Sequence, residues 1–118
     1  MNSRTLTALT ALIAFLGLAE LADSVAIGLG KDPAGAGFGV AFGVFFLISA
    51  WLLRTGRVTS GAVFSGVLCV FELIEFPAWP KSSVLEWIVQ SAFAVLSLTG
   101  LITGIVVLAA RLRRNAAA

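Results

Sequence analysis

Four long runs of apolar residues divide the chain, and short polar segments separate them. The runs cover roughly residues 6–29, 34–53, 60–79 and 84–110. Each run reaches the roughly 20 residues that an α-helix needs to cross about 30 Å of hydrocarbon. Because lipid offers no partner for backbone polar groups, each run must satisfy its own hydrogen bonds, as a helix does. The pattern therefore predicts an all-α fold, a single domain over residues 1–118 that forms an integral membrane four-helix bundle.

The segments between the runs contain residues that are typical of helix ends. Asp32 and Pro33 fit an N-cap and a first helical position, and Gly56 fits the end of the second helix. The segment Ser83–Glu86 fits a capping box for the fourth helix. Thr59 or Ser60 is expected to cap the start of the third helix. Pro77 and Pro80 are expected to mark its exit. The predicted loops are short, so no second domain is expected.

Composition favours a membrane location and excludes several kinds of chemistry. Hydrophobic residues make up 59% of the chain and charged residues 12%, whereas soluble domains carry about 25% charged residues. The chain has no His and one Cys, which excludes an intramolecular disulfide, a His-bearing zinc site and His-based catalysis. We therefore expect no cofactor and no enzymatic activity, and we interpret Cys69 as a small packing residue.

Basic residues are distributed unevenly between the two ends of the predicted helices. One end is flanked only by Lys31 and Lys81. The other end is flanked by six arginines: Arg4, Arg54, Arg57, Arg111, Arg113 and Arg114. The positive-inside rule then places both termini in the cytoplasm and the protein in the plasma or inner membrane. The net charge of +2 thus indicates orientation in a lipid bilayer, and no nucleic-acid partner is expected.

Carboxylates interrupt two of the apolar runs, in "AELADS" and "FELIE". A rise of about 1.5 Å per residue places Glu20 and Glu72 at the same depth, roughly 23 Å above the inner boundary, and Gln90 close to that level. Asp23 and Glu75 lie one turn nearer the outside, or else simply reach interfacial water. Acids inside a membrane are functional-site candidates by default. The five polar residues form the predicted proton or cation site.

The chemistry of this site suits protons or hard cations. The sequence places no basic residue at the depth of Glu20 and Glu72, so the acids must be protonated, hydrated, bound to a cation or paired with another chain. Oxygen ligands suit protons, Na⁺, Ca²⁺, Mg²⁺ or Mn²⁺ better than Cu or Zn. We expect Glu72 to meet Glu20 across a contact between the first and third helices and to share a proton with it. The alternative is a non-catalytic accessory subunit whose acids pair with a base of a larger membrane partner.

Glycines recur at four-residue spacing on two of the predicted helices. They are Gly35, Gly39 and Gly43 on the second helix and Gly100 and Gly104 on the fourth. Small residues at this spacing let helices approach closely in lipid. We favour packing within one chain, and a homo-oligomer interface is the alternative.

Two short stretches, "LAELA" at 18–22 and "SAWLL" at 49–53, resemble the small multidrug resistance transporters, as do the chain length and the four predicted spans. In that family a membrane-embedded Glu of the first helix exchanges protons for cationic drugs within an antiparallel dimer, which implies this role for Glu20. The chain departs from the family in having no Tyr and no Trp-containing motif in the third helix. Its arginine bias also disfavours dual topology. A small proton-coupled efflux transporter is therefore a further alternative.

Overall fold

Four helices make up nearly all of the part of the chain that the computed structural model describes, residues 3–25, 33–78 and 83–117. They are α1 (Ser3–Asp23), α2 (Pro33–Arg54), α3 (Val58–Ala78) and α4 (Val84–Ala117). Each of these four helices is long and apolar enough to cross a membrane. The prediction of an all-α chain with four helices capable of spanning a membrane is confirmed.

Neighbouring helices run antiparallel around the bundle. α1 packs on α2 and α4, and α3 packs on the same two helices, so α1 and α3 occupy opposite corners. The most extensive contacts are α1 with α2 and α3 with α4. Ser3 and Ala117 therefore lie at the same end of the bundle, which we call the terminal end. The opposite end, where Asp23 ends α1 and Val84 begins α4, is called the loop end.

Gly56 ends α2, as the sequence predicts. Its φ angle is 91°, a left-handed conformation that glycine adopts without steric cost. The N–H of Arg57 donates to the carbonyl of Leu52 at 2.9 Å, which is the long-range bond of a Schellman motif. This turn reverses the chain within a few residues and brings α3 alongside α2.

The start of α3 differs from the prediction that Thr59 or Ser60 caps it. The helix already begins at Val58, and the N–H of Gly61 donates to the carbonyl of Arg57 at 2.9 Å. The reason is the tight turn before it, which places the Arg57 carbonyl in position for the first helical bond. The polar side chains then fall within the first turn of the helix.

The predicted starts of α2 and α4 agree with the structure. Pro33 is the first residue of α2, although its expected cap, Asp32, lies outside the described residues. At the start of α4 the N–H of Glu86 donates to Ser83 Oγ at 3.1 Å, which is half of the predicted capping box.

Pro77 lies in the last turn of α3, next to the predicted exit of this helix near residue 79. The helix continues to Ala78, while Pro80 lies outside the described residues. A proline this close to the end of a helix removes only one hydrogen bond, the one to the Leu73 carbonyl. The ring of Phe76 packs edge-on against Trp87 of α4, with centroids 6.5 Å apart, and this contact holds the last turn against its neighbour.

Buried side chains concentrate in the part of the bundle nearer the terminal end. On α3 the described residues beyond Cys69 are half-buried or exposed, and on α4 so are those before Ser97. The buried apolar core consists of Leu9, Ile13, Leu16, Phe46, Ala50, Leu53, Val58, Ala62, Leu68, Cys69 and Val107. The acidic residues that the structure describes lie in the less tightly packed third near the loop end.

Candidate proton site

The carboxyl groups of Glu20 and Glu72 meet in the interior of the bundle. Glu20 is 8% exposed, Glu72 is half-buried, and the two side chains form a hydrogen bond. An ionised carboxylate can only accept hydrogen bonds, so one member of the pair must carry a proton and donate it. The arrangement can therefore hold one proton between two carboxyl groups.

The pair spans the diagonal of the bundle. The sequence reasoning expected α1 and α3 to pack on each other, but each instead packs mainly on α2 and α4. Glu20 and Glu72 interact between opposite corners of the bundle, which their long side chains allow. The pair thus connects two helices that share little other contact.

Glycines of α2 bring its backbone close to Glu20. A Cβ atom added at Gly39 would overlap the Ser24 side chain and lie 3.6 Å from Glu20 Oε2. One turn further along α2, a Cβ at Gly43 would lie 2.9 Å from the carbonyl oxygen of Gly17. Both glycines are therefore in the contact between α1 and α2, where a side chain would push the helices apart.

The remaining predicted packing glycines lie on α4 and at the start of α2. A Cβ at Gly100 would be 3.3 Å from Cys69 Sγ and 3.4 Å from Ile13 Cδ1, so Gly100 faces both α3 and α1. Gly104 approaches α3 more loosely, with a Cβ 3.9 Å from the nearest backbone oxygen. The surroundings of Gly35 are outside the described part of the chain.

Further acids surround the pair towards the loop end. Asp23 and Glu75 are half-buried and lie within electrostatic range of Glu20. Asp23 also interacts with Glu86, a residue that the sequence reasoning identified only as part of a cap. Glu86 lies beside the site because the first turn of α4 packs near the end of α1. No sequence pattern specifies this packing. Together with Glu72, five of the six acidic residues of the chain lie in this region.

Gln90 lies nearer the loop end than its estimated depth. Because Gly100 faces Ile13 and the helices are antiparallel, the α4 residue level with Glu20 is Phe93. Gln90 is then about one turn, roughly 5 Å, further towards the loop end. The estimated depth of Gln90 requires all helices to start at the same height. In the structure, α4 is shifted along the bundle relative to α1.

The described residues include no group of three or more His, Cys, Asp or Glu side chains arranged to hold a metal ion. Lys31 and Lys81, the basic residues expected nearest to the acids, lie outside the described ranges.

Comparison with protein-family models, with curated proteins and with solved structures gives no match to this chain.

Proposed function

We propose that this chain is a small multi-pass membrane protein that takes up and releases protons on the Glu20–Glu72 pair. The observation that carries the proposal is the hydrogen bond between these carboxyls inside a bundle of helices long and apolar enough to cross a membrane. Burying an ionised carboxylate costs several kcal/mol. Two facing carboxylates that share one proton carry one negative charge instead of two, and they keep a site where protons bind and leave.

A proton suits the pair better than a hard cation. Ca²⁺ takes six to eight oxygen ligands, and Mg²⁺ demands near-octahedral geometry. Glu20 and Glu72 together offer four carboxyl oxygens, and Gly39 contributes no side chain. A proton needs only one donor and one acceptor, which the pair supplies by itself.

The packing supports proton exchange through the loop end. Asp23, Glu75 and Glu86 extend from the pair in that direction, and their half-buried side chains give protons a polar route. Towards the terminal end the neighbours are apolar and buried, with Leu16 fully buried and Leu68 only 4% exposed. If the termini are cytoplasmic, the pair exchanges protons with the outer compartment.

Infrared titration of the reconstituted protein tests the shared proton. We expect a protonated carboxyl C=O stretch at neutral pH that is altered by Glu20→Gln and equally by Glu72→Gln, because both residues contribute to one hydrogen-bonded unit. Ser49→Ala is the control and should leave this band in place, because the Ser49 hydroxyl donates to the carbonyl of Phe45. Absence of the band at neutral pH, or two bands that respond separately to the two substitutions, would contradict the proposal.

The mass of the intact complex in mild detergent tests the alternative function. A chain that moves protons alone or as a homo-oligomer should purify without a second protein. A second protein present at constant stoichiometry, and released by Glu20→Gln, would instead favour the accessory subunit whose acids pair with a partner's base.

A further inference from the structure

Ser97 of α4 differs from Ser49 and Ser65, two other buried serines of the bundle. Its side chain is 0% exposed, and its Oγ has no hydrogen-bond partner among the described residues. Four other helical hydroxyls donate to a carbonyl of their own helix, at 2.8 to 3.2 Å: Thr10, Ser49, Ser65 and Thr99. Leaving a buried hydroxyl without a hydrogen-bond partner is destabilising. Native proteins meet such a group with a partner, commonly an ordered water molecule.

The position of Ser97 brings it level with Glu72 of the carboxyl pair. Gly100, one turn away on α4, faces Cys69 Sγ of α3 at 3.3 Å from its added Cβ. Because α3 and α4 are antiparallel, the step from Gly100 back to Ser97 matches the step from Cys69 forward to Glu72. Gly104, seven residues after Ser97 and on the same face, also approaches α3. Ser97 therefore lies on the side of α4 that faces α3, at the height of Glu72.

We propose that a water molecule binds between Ser97 Oγ and the carboxyl of Glu72, and that Ser97 is a positioning residue of the proton site. The inference rests on the proposed function and adds a third group to the pair. The Ser97 hydroxyl donates to the water, and the water donates to the Glu72 carboxylate. A bound water held at both ends stabilises the charge that remains when two carboxyls share one proton.

Infrared spectra recorded in H₂¹⁶O and H₂¹⁸O test this water directly. We expect an O–H stretching band that shifts with the oxygen isotope and is lost in Ser97→Ala. The same variant should shift the C=O band of the carboxyl pair, because Glu72 loses a hydrogen-bond donor. Ser97→Thr keeps the hydroxyl and should retain both features. Ser49→Ala is the matched control, since the Ser49 hydroxyl donates to the carbonyl of Phe45 at 3.0 Å and should leave both bands unchanged.

The two readouts separate this inference from the proposed function. If the C=O band of the pair is present but Ser97→Ala behaves like Ser49→Ala, the water site is overturned and the shared proton stands. If the isotope-sensitive band is lost in Ser97→Ala but no protonated carboxyl is found, the water is present and the shared proton is overturned. Removing one buried oxygen from a helix should leave the fold intact, and circular dichroism of each variant verifies this.

Discussion

Gly37 and Gly39 stand two residues apart on α2, yet their surroundings differ completely. A Cβ added at Gly37 would meet no atom within 4 Å, whereas one added at Gly39 would overlap Ser24. In a helix interior, replacing Gly by Ala is favourable by about 0.5–1 kcal/mol when the side chain fits. The two positions therefore form a matched pair for measuring how closely α1 and α2 must approach.

We predict that Gly39→Ala lowers the stability of the bundle while Gly37→Ala leaves it unchanged or raises it slightly. The added methyl group at Gly39 must displace Ser24, and overpacking of this kind costs about 1–3 kcal/mol. Thermal unfolding of the two variants in the same detergent measures the difference. Equal midpoints would remove Gly39 from the helix contact. Phe46→Leu is a poor control here, since Phe46 is 0% exposed and its truncation leaves a cavity.

The acid pair could be predicted from the sequence, but its supporting residues could not. Glu20 and Glu72 stand out because acids are rare in long apolar runs, and helical rise alone places them at equal depth. Ser97 carries no such mark, since serines on apolar helices usually bond to their own backbone. Glu86 looks like a capping residue and no more. Ser97 and Glu86 lie near the site because of how α4 is rotated about its axis and positioned along the bundle. Both depend on helix packing.

Among the helices, α3 carries an internal defect beside the site. Pro77 has no N–H, so the Leu73 carbonyl loses its helical donor in the turn that follows Glu72. We predict that Pro77→Ala restores this hydrogen bond and raises stability by about 0.5–1.5 kcal/mol, read as a higher midpoint of thermal unfolding. Pro33→Ala provides the control, because a first helical residue has no intrahelical N–H bond to restore. A lower midpoint for Pro77→Ala would show that the proline is needed for the packing of Phe76 on Trp87.

Helix existence followed from the sequence more reliably than helix ends. The apolar runs predicted all four helices because each had to satisfy its backbone in hydrocarbon. The start of α3 at Val58 differs from expectation because local geometry outweighed residue preference. The turn at Gly56 started α3 before its polar residues, and the contact with α4 carried α3 through a proline. Such effects depend on neighbouring helices, which residue-type rules do not include.

At the scale of the whole molecule, an even number of antiparallel helices places both termini at one end. We predict that this end is cytoplasmic, because six of the eight basic residues flank it and cytoplasmic segments are enriched in Lys and Arg. Single cysteines introduced at positions 57 and 82 in a Cys69→Ala background test the orientation with a membrane-impermeant thiol reagent. Labelling of intact cells at position 82 and not at 57 is expected. The reverse pattern would invert the topology and place the exchange route of the acid pair in the cytoplasm.

The unequal length of the helices has a practical consequence. α4 has 34 residues, while the other helices have 21 or 22. Counting from the contact between Gly100 and Ile13, α4 continues for about seven residues, or roughly 10 Å, beyond the level of Ser3. A helical scaffold protein fused in phase after Ala117 would thus extend a single rigid rod rather than hang from a linker. Each residue added at the junction would rotate the scaffold by about 100°, so a few junction lengths would sample all orientations. The fused scaffold would then serve as a rigid fiducial for aligning images of this 12.3 kDa protein in single-particle microscopy.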